Sequence, residues 1–395
     1  MSALENAKAL TGAEILKKIA DLGLVEQGVY AGSLADLLAA AVAESKEEGV
    51  EIGVACGLNN ADTDYVLLGI LKNAPEKVME GIAVAALAVG AEKKTLYVPE
   101  SEKALADELA EKAAAYGIAV SAEFINVRAN KGSAMIHIAT AADLADAFDD
   151  SYVPGVYVFV GEELKKVSAT TKIADLVDVT GAKAIEAGYK LYTPAEEPTA
   201  AAAVNGVIRV LTDKDCVVSA AEKKVTACRQ TSCGKCVFCR EGLIQLQYMN
   251  REITQGRGKA EFIDLAKEIG EAMEISTLCS MGQESAKYTL DAIAAFEDEY
   301  MAHIKKKQCP AGECQAFINF YIDPNLCNGC AKCTEVCADD GLEGLPGYIY
   351  IIDEFNCTKC RKCEDVCPVH AIKETTGRVP KLPDRLTRVG RFRAN

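Results

Sequence analysis

The sequence predicts a multidomain chain of the α/β plus α class: an α/β layer, then a small strand-rich domain, a helical segment and a compact cysteine-rich module. Three observations predict it. Strand and helix patterns alternate through the first third, strands dominate after Asp150 before helical spacing returns near residue 236, and sixteen of the seventeen cysteines lie after residue 215. With 395 residues the chain has room for several domains, each with its own core.

The α/β layer, residues 1–150, is read from a strand EIGVACG (51–57), a helix from Pro75 to Ala91, a strand KTLYVPE (94–100), a helix over 101–116 opened by Ser101, and a strand GIAVSAEFI (117–125). Such alternation builds a parallel sheet with helical cover, Rossmann-like in general plan. The longest apolar stretch, Gly81 to Ala91, is about half the length of a membrane span and is bounded by Glu80 and Glu92, so it reads as a buried helix. Residues 151–212 carry VYVFVG (156–161), LKKVSA (164–169), a short helix near Ile173 to Val177 and VIRVL (207–211), which suit a small β-grasp domain. PAEEPTAAAAVN (194–205), with two prolines and little periodicity, reads as a connection. Helices fill residues 213–306, with a glycine turn at Gly256 and Gly258 and a long last helix from Glu284 to Lys306.

The cysteine-rich module closes the chain. Cys327, Cys330, Cys333 and Cys337, and then Cys357, Cys360, Cys363 and Cys367 followed by Pro368, repeat the two-cluster pattern of bacterial ferredoxins at an offset of thirty residues. Three closely spaced thiolates wrap three corners of a cubane, and the fourth comes from the other half. Cys327, Cys330, Cys333 and Cys367 are therefore expected to hold one 4Fe-4S cluster, and Cys337, Cys357, Cys360 and Cys363 another. A disulfide framework suits short secreted chains, and a zinc ribbon offers two CxxC pairs rather than two runs of four. Upstream, Cys233, Cys236 and Cys239 in SCGKCVFCREG, with Cys279 forty residues beyond, supply three near thiolates and one distant one for a third cubane. Cys239 sits where a helix begins, so the helix dipole favours its thiolate.

A net charge of -15 and a pI near 4.9 argue against a general nucleic-acid binder. The segment 377–395 reverses that balance: Arg378, Lys381, Arg385, Arg388, Arg391 and Arg393 stand against Asp384 alone. It reads either as a tail for an acidic partner subunit or as a solvated end. MSALENAKAL lacks the basic region and apolar core of a signal peptide, and many thiols ligating iron suit a reducing compartment, so a cytoplasmic protein without a membrane span is expected.

SCGKC-x2-CREG with its distant cysteine, the CPAGEC segment Cys309 to Cys314 and the terminal two-cluster module together resemble the beta subunit of NAD-linked and electron-bifurcating iron-only hydrogenases, which is similar to the NADH-binding flavoprotein subunit of complex I. The resemblance implies an SLBB-like identity for the β-grasp domain 151–212. It also implies a zinc held by Cys216, His303, Cys309 and Cys314, which makes 307–322 a zinc hinge before the ferredoxin domain 323–376. Cys3His is a closed structural zinc set. The resemblance fails at the flavin. The family's GRGGAGFPTG phosphate loop has only Gly28 and Gly32 as counterparts, its GAGxYxCGEE stretch is absent, and of its NADE segment Asn60-Ala61-Asp62 survives with Thr63 in place of the acid. The expectation is a degenerate FMN/NADH-type domain without FMN.

Two functions are therefore weighed. In the first, an electron-transfer subunit without catalytic residues relays electrons through three clusters between partner redox subunits of flavin, thioredoxin-like ferredoxin, or hydrogenase or dehydrogenase type. In the second, a divergent loop still binds FMN in an NAD(P)H:acceptor oxidoreductase. Cys56 reads as a core residue, and Cys228 has no assigned role.

Overall fold

The computed structural model describes residues 2–376 and 379–393. It divides into two compact units. The first comprises 1–212, 221–248 and 264–295, and the second comprises 213–220, 249–263 and 296–395.

The first unit opens with helices α1 (Ala3–Lys8), α2 (Gly12–Asp21) and α3 (Leu34–Glu48), followed by β1 (Gly53–Gly57), α4 (Leu68–Asn73), α5 (Pro75–Val89), β2 (Lys93–Val98), α6 (Lys103–Ala114), β3 (Ala119–Ala122), β4 (Ala134–His137) and α7 (Ile138–Phe148). Ser2 and Thr11 close capping boxes with Glu5 and Glu14, and Gly49 and Gly90 end α3 and α5 in the left-handed conformation. The four strands form the expected parallel sheet in the order β3-β2-β1-β4. β1 is buried along its whole length, as a central parallel strand covered on both faces must be.

The sequence pattern overstates some elements. The expected strand 117–125 shrinks to four residues, because the charged and polar residues after Ala122 do not pair, and the helix at 101–116 begins only after a 3-10 turn over Glu100–Glu102. Conversely, the short strand β4 had no periodicity to reveal it. The apolar stretch 81–91 lies in α5, whose expected end at Ala91 is cut back by Gly90. α5 crosses α7 so closely that a Cβ on Gly81 would lie 1.7 Å from the Ala141 carbonyl oxygen.

Next come β5 (Val156–Val160) and β6 (Glu163–Val167), which pair as a hairpin, and β7 (Ala182–Ala187), β8 (Lys190–Tyr192) and β9 (Ile208–Thr212), an antiparallel sheet in the order β8-β7-β9. The helix expected near 173–177 is a single 3-10 turn, Ile173–Asp175, and the 194–205 connection holds two more such turns. Four longer helices follow: α8 (Val217–Thr231), α9 (Val237–Thr254), α10 (Glu261–Ser276) and, after the short α11 (Ser280–Glu284), α12 (Lys287–Met301). The single helix expected from Glu284 to Lys306 is instead α12, kinked at Phe296 (φ -133°, ψ 35°), and a π-helical turn over Ala302–Lys306. Glycines again set close approaches, with a Cβ on Gly242 falling 2.3 Å from Met273 Sδ.

The second unit ends in the module β10 (Asn319–Ile322), α13 (Lys332–Val336), β11 (Leu342–Glu343), β12 (Ile351–Ile352), α14 (Lys362–Asp365) and β13 (Ile372–Thr375), with β10 antiparallel to β13 and β11 to β12. Of the basic tail, Arg378 lies outside the described residues. The rest does not all hang in solvent. Tyr348 and Arg388 form an antiparallel bridge, Ile349 N donates to Thr387 O at 2.9 Å, and the Arg388 guanidinium sits over the Tyr348 ring. Among the described residues no helix is long and apolar enough to cross a membrane.

The Gly81 crossing yields a direct test. Gly81→Ala forces α5 and α7 apart and is expected to cost about 3 kcal/mol, the upper range for overpacking, read as a lower denaturation midpoint.

Candidate metal centres and adjoining cavities

Four of the predicted ligands meet inside the second unit. The ligand atoms of Cys216, His303, Cys309 and Cys314 lie within 4.8 Å of one another, and all four residues are buried. Cys216 Sγ is 3.3 Å from His303 Nε2, and Cys314 Sγ is 3.5 Å from both Cys216 Sγ and His303 Nε2. His303 Nδ1 lies 2.8 Å from the Glu299 carbonyl oxygen, so it carries the proton and Nε2 turns a lone pair toward the sulfurs. The π-helical turn places His303 on the buried side of its element, and Phe317 packs edge-on against its ring. Cys216 is held at the start of α8 by its own N–H donating to Glu313 Oε2 (2.7 Å), while Ser219 N donates back to Cys216 Sγ (3.4 Å). Hydrogen bonds from Cys216 and Cys314 pull the Cys309 thiol far below its ordinary range, and Cys216 is pushed up in return. Three soft sulfurs and one imidazole nitrogen, crowded together with their lone pairs convergent, fit a tetrahedral zinc.

Within the first unit, Cys233, Cys236, Cys239 and Cys279 line one small pocket. Gly234 adopts φ +68° in the loop before α9, a conformation that favours glycine, and Arg240 Nη1 donates to its carbonyl oxygen (3.2 Å). Cys239 lies in the first turn of α9. Burial pushes its thiol up to about 11, against a contact from Ser232 Oγ at 3.5 Å. Cys279 stands immediately before α11, in a segment shaped by Gln283 Nε2 donating to Thr277 O (3.1 Å).

The terminal module brings Cys337, Cys357, Cys360 and Cys363 to one pocket. Cys327 and Cys333 are in the apolar cluster that Cys367 packs against, and Cys330 is exposed in the loop between them. The thirty-residue offset is visible in the backbone. Gly329 and Lys359, Ala331 and Arg361, and Asp340 and His370 all have positive φ in matching positions, and Gly341 N and Ala371 N donate to Cys337 Sγ (3.3 Å) and Cys367 Sγ (3.2 Å). Non-glycine residues in this region are uncommon, and successive N–H groups in such turns converge on anions.

Two neighbouring cavities of about 500 and about 600 Å³ share Asn60, Ile125, Val127, Leu278 and Cys279 in their walls. Asn60 Nδ2 donates to Ile125 O (2.9 Å), and Asp62 is buried, accepting from the Tyr189 hydroxyl and lying 3.5 Å from His137 Nε2. The surviving Asn60-Ala61-Asp62 therefore has packing partners of its own. Sequence reasoning missed Glu26, 5 % exposed, whose Oε1 accepts from His137 N (2.8 Å). It also missed Lys224, buried against Glu186 (2.7 Å) and Asp64 (2.9 Å), which Arg209 also contacts (2.6 Å). Neither residue belongs to a spacing motif. Cys56 and Cys228 are buried in β1 and α8, and burial pushes both thiols up, Cys228 to about 12, as expected of core residues.

Parallel sheet, helical cysteine region and twin cysteine loops define a multidomain iron-sulfur protein. Residues 219–303 match the NADH-ubiquinone oxidoreductase-F iron-sulfur binding region, and residues 350–373 match a 4Fe-4S binding domain. The chain is a homologue of two curated types. It is 35 % identical over 140 residues to the NADP-reducing hydrogenase subunit HndC of Solidesulfovibrio fructosivorans (35 % of this chain, 29 % of that protein). It is 32 % identical over 103 residues to the F-type subunit of the NADH-quinone oxidoreductase of Mycobacterium bovis (26 % of this chain, 23 % of that protein). These matches span less than a third of the relatives' length. In fold it is similar to a chain of the NAD+-reducing NiFe hydrogenase solved in the H2-reduced state, with TM-score 0.63 and 18 % identity, covering 77 % of this chain and 65 % of that one.

Two outcomes follow from the buried charges. Lys224→Met leaves Glu186 without its nearest cation and is expected to cost about 3 kcal/mol in chemical denaturation. Glu26 is different. Burial, opposed by the neighbouring His137, raises its carboxyl pKa in the folded state. The folded chain then holds a proton that the unfolded chain releases, so this penalty is absent below the ordinary carboxyl range and grows as pH rises through it. Glu26→Gln keeps an acceptor for His137 N and is expected to stabilise the protein at pH 7.5, with the gain shrinking toward pH 4.5.

Proposed function

We propose that this chain is an iron-sulfur electron-transfer subunit of an NAD(P)-linked oxidoreductase complex of the hydrogenase or complex I type. In this reading it carries three 4Fe-4S clusters and one zinc, lacks FMN, and has no catalytic residue of its own. The observation that carries the reading is the convergence of Cys233, Cys236, Cys239 and Cys279 on one pocket inside the region matched to the NADH-ubiquinone oxidoreductase iron-sulfur family. The named relatives are subunits of NADP-reducing hydrogenase and NADH-quinone oxidoreductase, which supports partner redox subunits.

A 4Fe-4S cluster takes up and releases one electron at a time. The chain's own residues hold and tune it. Twelve cysteines would supply the thiolates, while Gly341 N and Ala371 N lower the charge density on Cys337 and Cys367. Lys359, Arg361 and Lys362 surround Cys360, whereas the matching loop around Cys330 carries Gly329, Ala331 and Lys332. Positive charge favours the reduced, more negative state, so the second loop is read as the easier electron acceptor. Cys216, His303, Cys309 and Cys314 would hold zinc as a closed structural site. That site ties the start of α8 to the segment after α12 within the second unit, where the hinge 307–322 begins. The exposed Arg385, Arg391 and Arg393 suit an acidic partner.

Metal and flavin analysis of anaerobically purified protein tests this reading. About twelve irons and one zinc per chain are expected, with no FMN in the denatured supernatant. Cys279→Ser is expected to remove about four irons and leave zinc in place, and Cys309→Ser the reverse. Iron near eight in the unaltered chain, or stoichiometric FMN, overturns the corresponding part.

A further inference from the structure

The larger cavity keeps the volume of a cofactor site but not the chemistry that flavin mononucleotide needs. At about 600 Å³ it is in the range of pockets that enclose drug-sized organic ligands. Leu37, Leu58, Ile125, Val127 and Ile136 supply apolar walls, and the amides of Asn59, Asn60 and Gln283 lie among them. No lysine or arginine is found among the described residues that line it, and Glu44 adds a negative charge. Nor is there a glycine cradle. A Cβ on Gly28 would meet Asn59 Oδ1 at 2.8 Å, so this glycine serves a close approach to the segment after β1, and its φ is not in the left-handed region. A phosphate carrying about two negative charges would lose its hydration here and meet no lysine, arginine or glycine nest, since Arg128 and Lys235 line the adjoining cavity instead. FMN therefore does not fit.

We propose that this cavity binds a planar, uncharged ring compound of flavin or quinone size that carries no phosphate, stacked between the apolar walls with its carbonyl edge toward the amides. Such a ring matches flat aliphatic surfaces on its faces and hydrogen-bond donors at its rim. Glu26 also lines the cavity, with Oε1 occupied by the His137 N–H (2.8 Å). Cys279, also in the wall, brings the ring beside the expected first cluster. The inference deepens the electron-transfer reading, and only that last consequence rests on it.

The test uses the full, anaerobically purified chain with its iron content recorded. Riboflavin, FMN and menadione are titrated separately by equilibrium dialysis. Riboflavin or menadione is expected to bind, showing which ring type is preferred, and FMN at least tenfold more weakly than riboflavin if riboflavin is the ligand. Ala40→Trp, at an exposed wall position of α3, is expected to weaken the bound ring more than tenfold without changing iron content. Glu44→Gln is expected to narrow any gap between riboflavin and FMN. FMN binding as tightly as riboflavin, binding unaffected by Ala40→Trp, or no binding of either unphosphorylated ring overturns the proposal. Absent iron with intact ring binding would instead overturn the electron-transfer reading alone.

Discussion

Sulfur cannot carry charge inside a protein without compensation, and that constraint organises the cysteine-bearing half of this chain. Burial pushes the thiols of Cys239 and Cys333 up to about 11, and Cys363 also rises. The fold answers in part with N–H groups aimed at sulfur and with backbone in the left-handed region at both halves of the terminal repeat. At Cys239, Cys333 and Cys363 burial outweighs the hydrogen bonds that those thiols themselves receive. A metal centre held by these loops would supply the remaining positive charge, and would make the left-handed conformations at Ala331, Lys359 and Arg361 tolerable there. The Cys216, His303, Cys309 and Cys314 set crowds three sulfurs in the same way on a smaller scale, with the imidazole tautomer set by the Glu299 carbonyl.

The first unit meets a different demand, which is to join segments far apart in sequence. Lys224 of α8 reaches Asp64 after β1 and Glu186 of β7, so one ammonium group binds the parallel-sheet layer, the antiparallel sheet and the helix leading into the SCGKC loop. Burial alone would lower the Lys224 pKa, but Glu186 and Asp64 more than offset it and hold the ammonium charged. Such a group is costly to break and nearly neutral to replace with apolar packing, so its value is in fixing one arrangement of three segments.

Legibility in the sequence followed range. The cysteine loops could be read because all but one ligand in each run lies within a few residues, and their chemistry has few alternatives. Cys279 could be reached only because three near thiolates ask for a fourth, and His303 only through resemblance, since the helix around it carries no signal of a ligand. The alternation that indicates a parallel sheet was visible, yet the strand ends were not. Ser121 and Glu123 continue a plausible pattern that pairing stops supporting at Ala122. The kink at Phe296 and the π-helical turn beyond it are tertiary effects, since Glu284 to Lys306 has no proline or glycine inside α12 to announce them. Glu26 and Lys224 gave no signal because an acid or a lysine in a polar stretch looks solvated until its burial is known.

A cavity and a phosphate-binding loop depend on different residues. The cavity walls come from α3, the ends of β1 and β4 and the 125–127 segment, and these positions also serve the core: Ile136 is 2 % exposed and Leu58 is 7 % exposed. Removing their bulk would cost the stability of a buried aliphatic residue, about 2 kcal/mol or more each, whereas glycines that approach a phosphate support nothing once the phosphate is gone. Packing alone thus suffices to hold the walls, whether or not a phosphate is bound. The space next to Cys279 therefore has a structural basis of its own, in wall residues that also belong to the core.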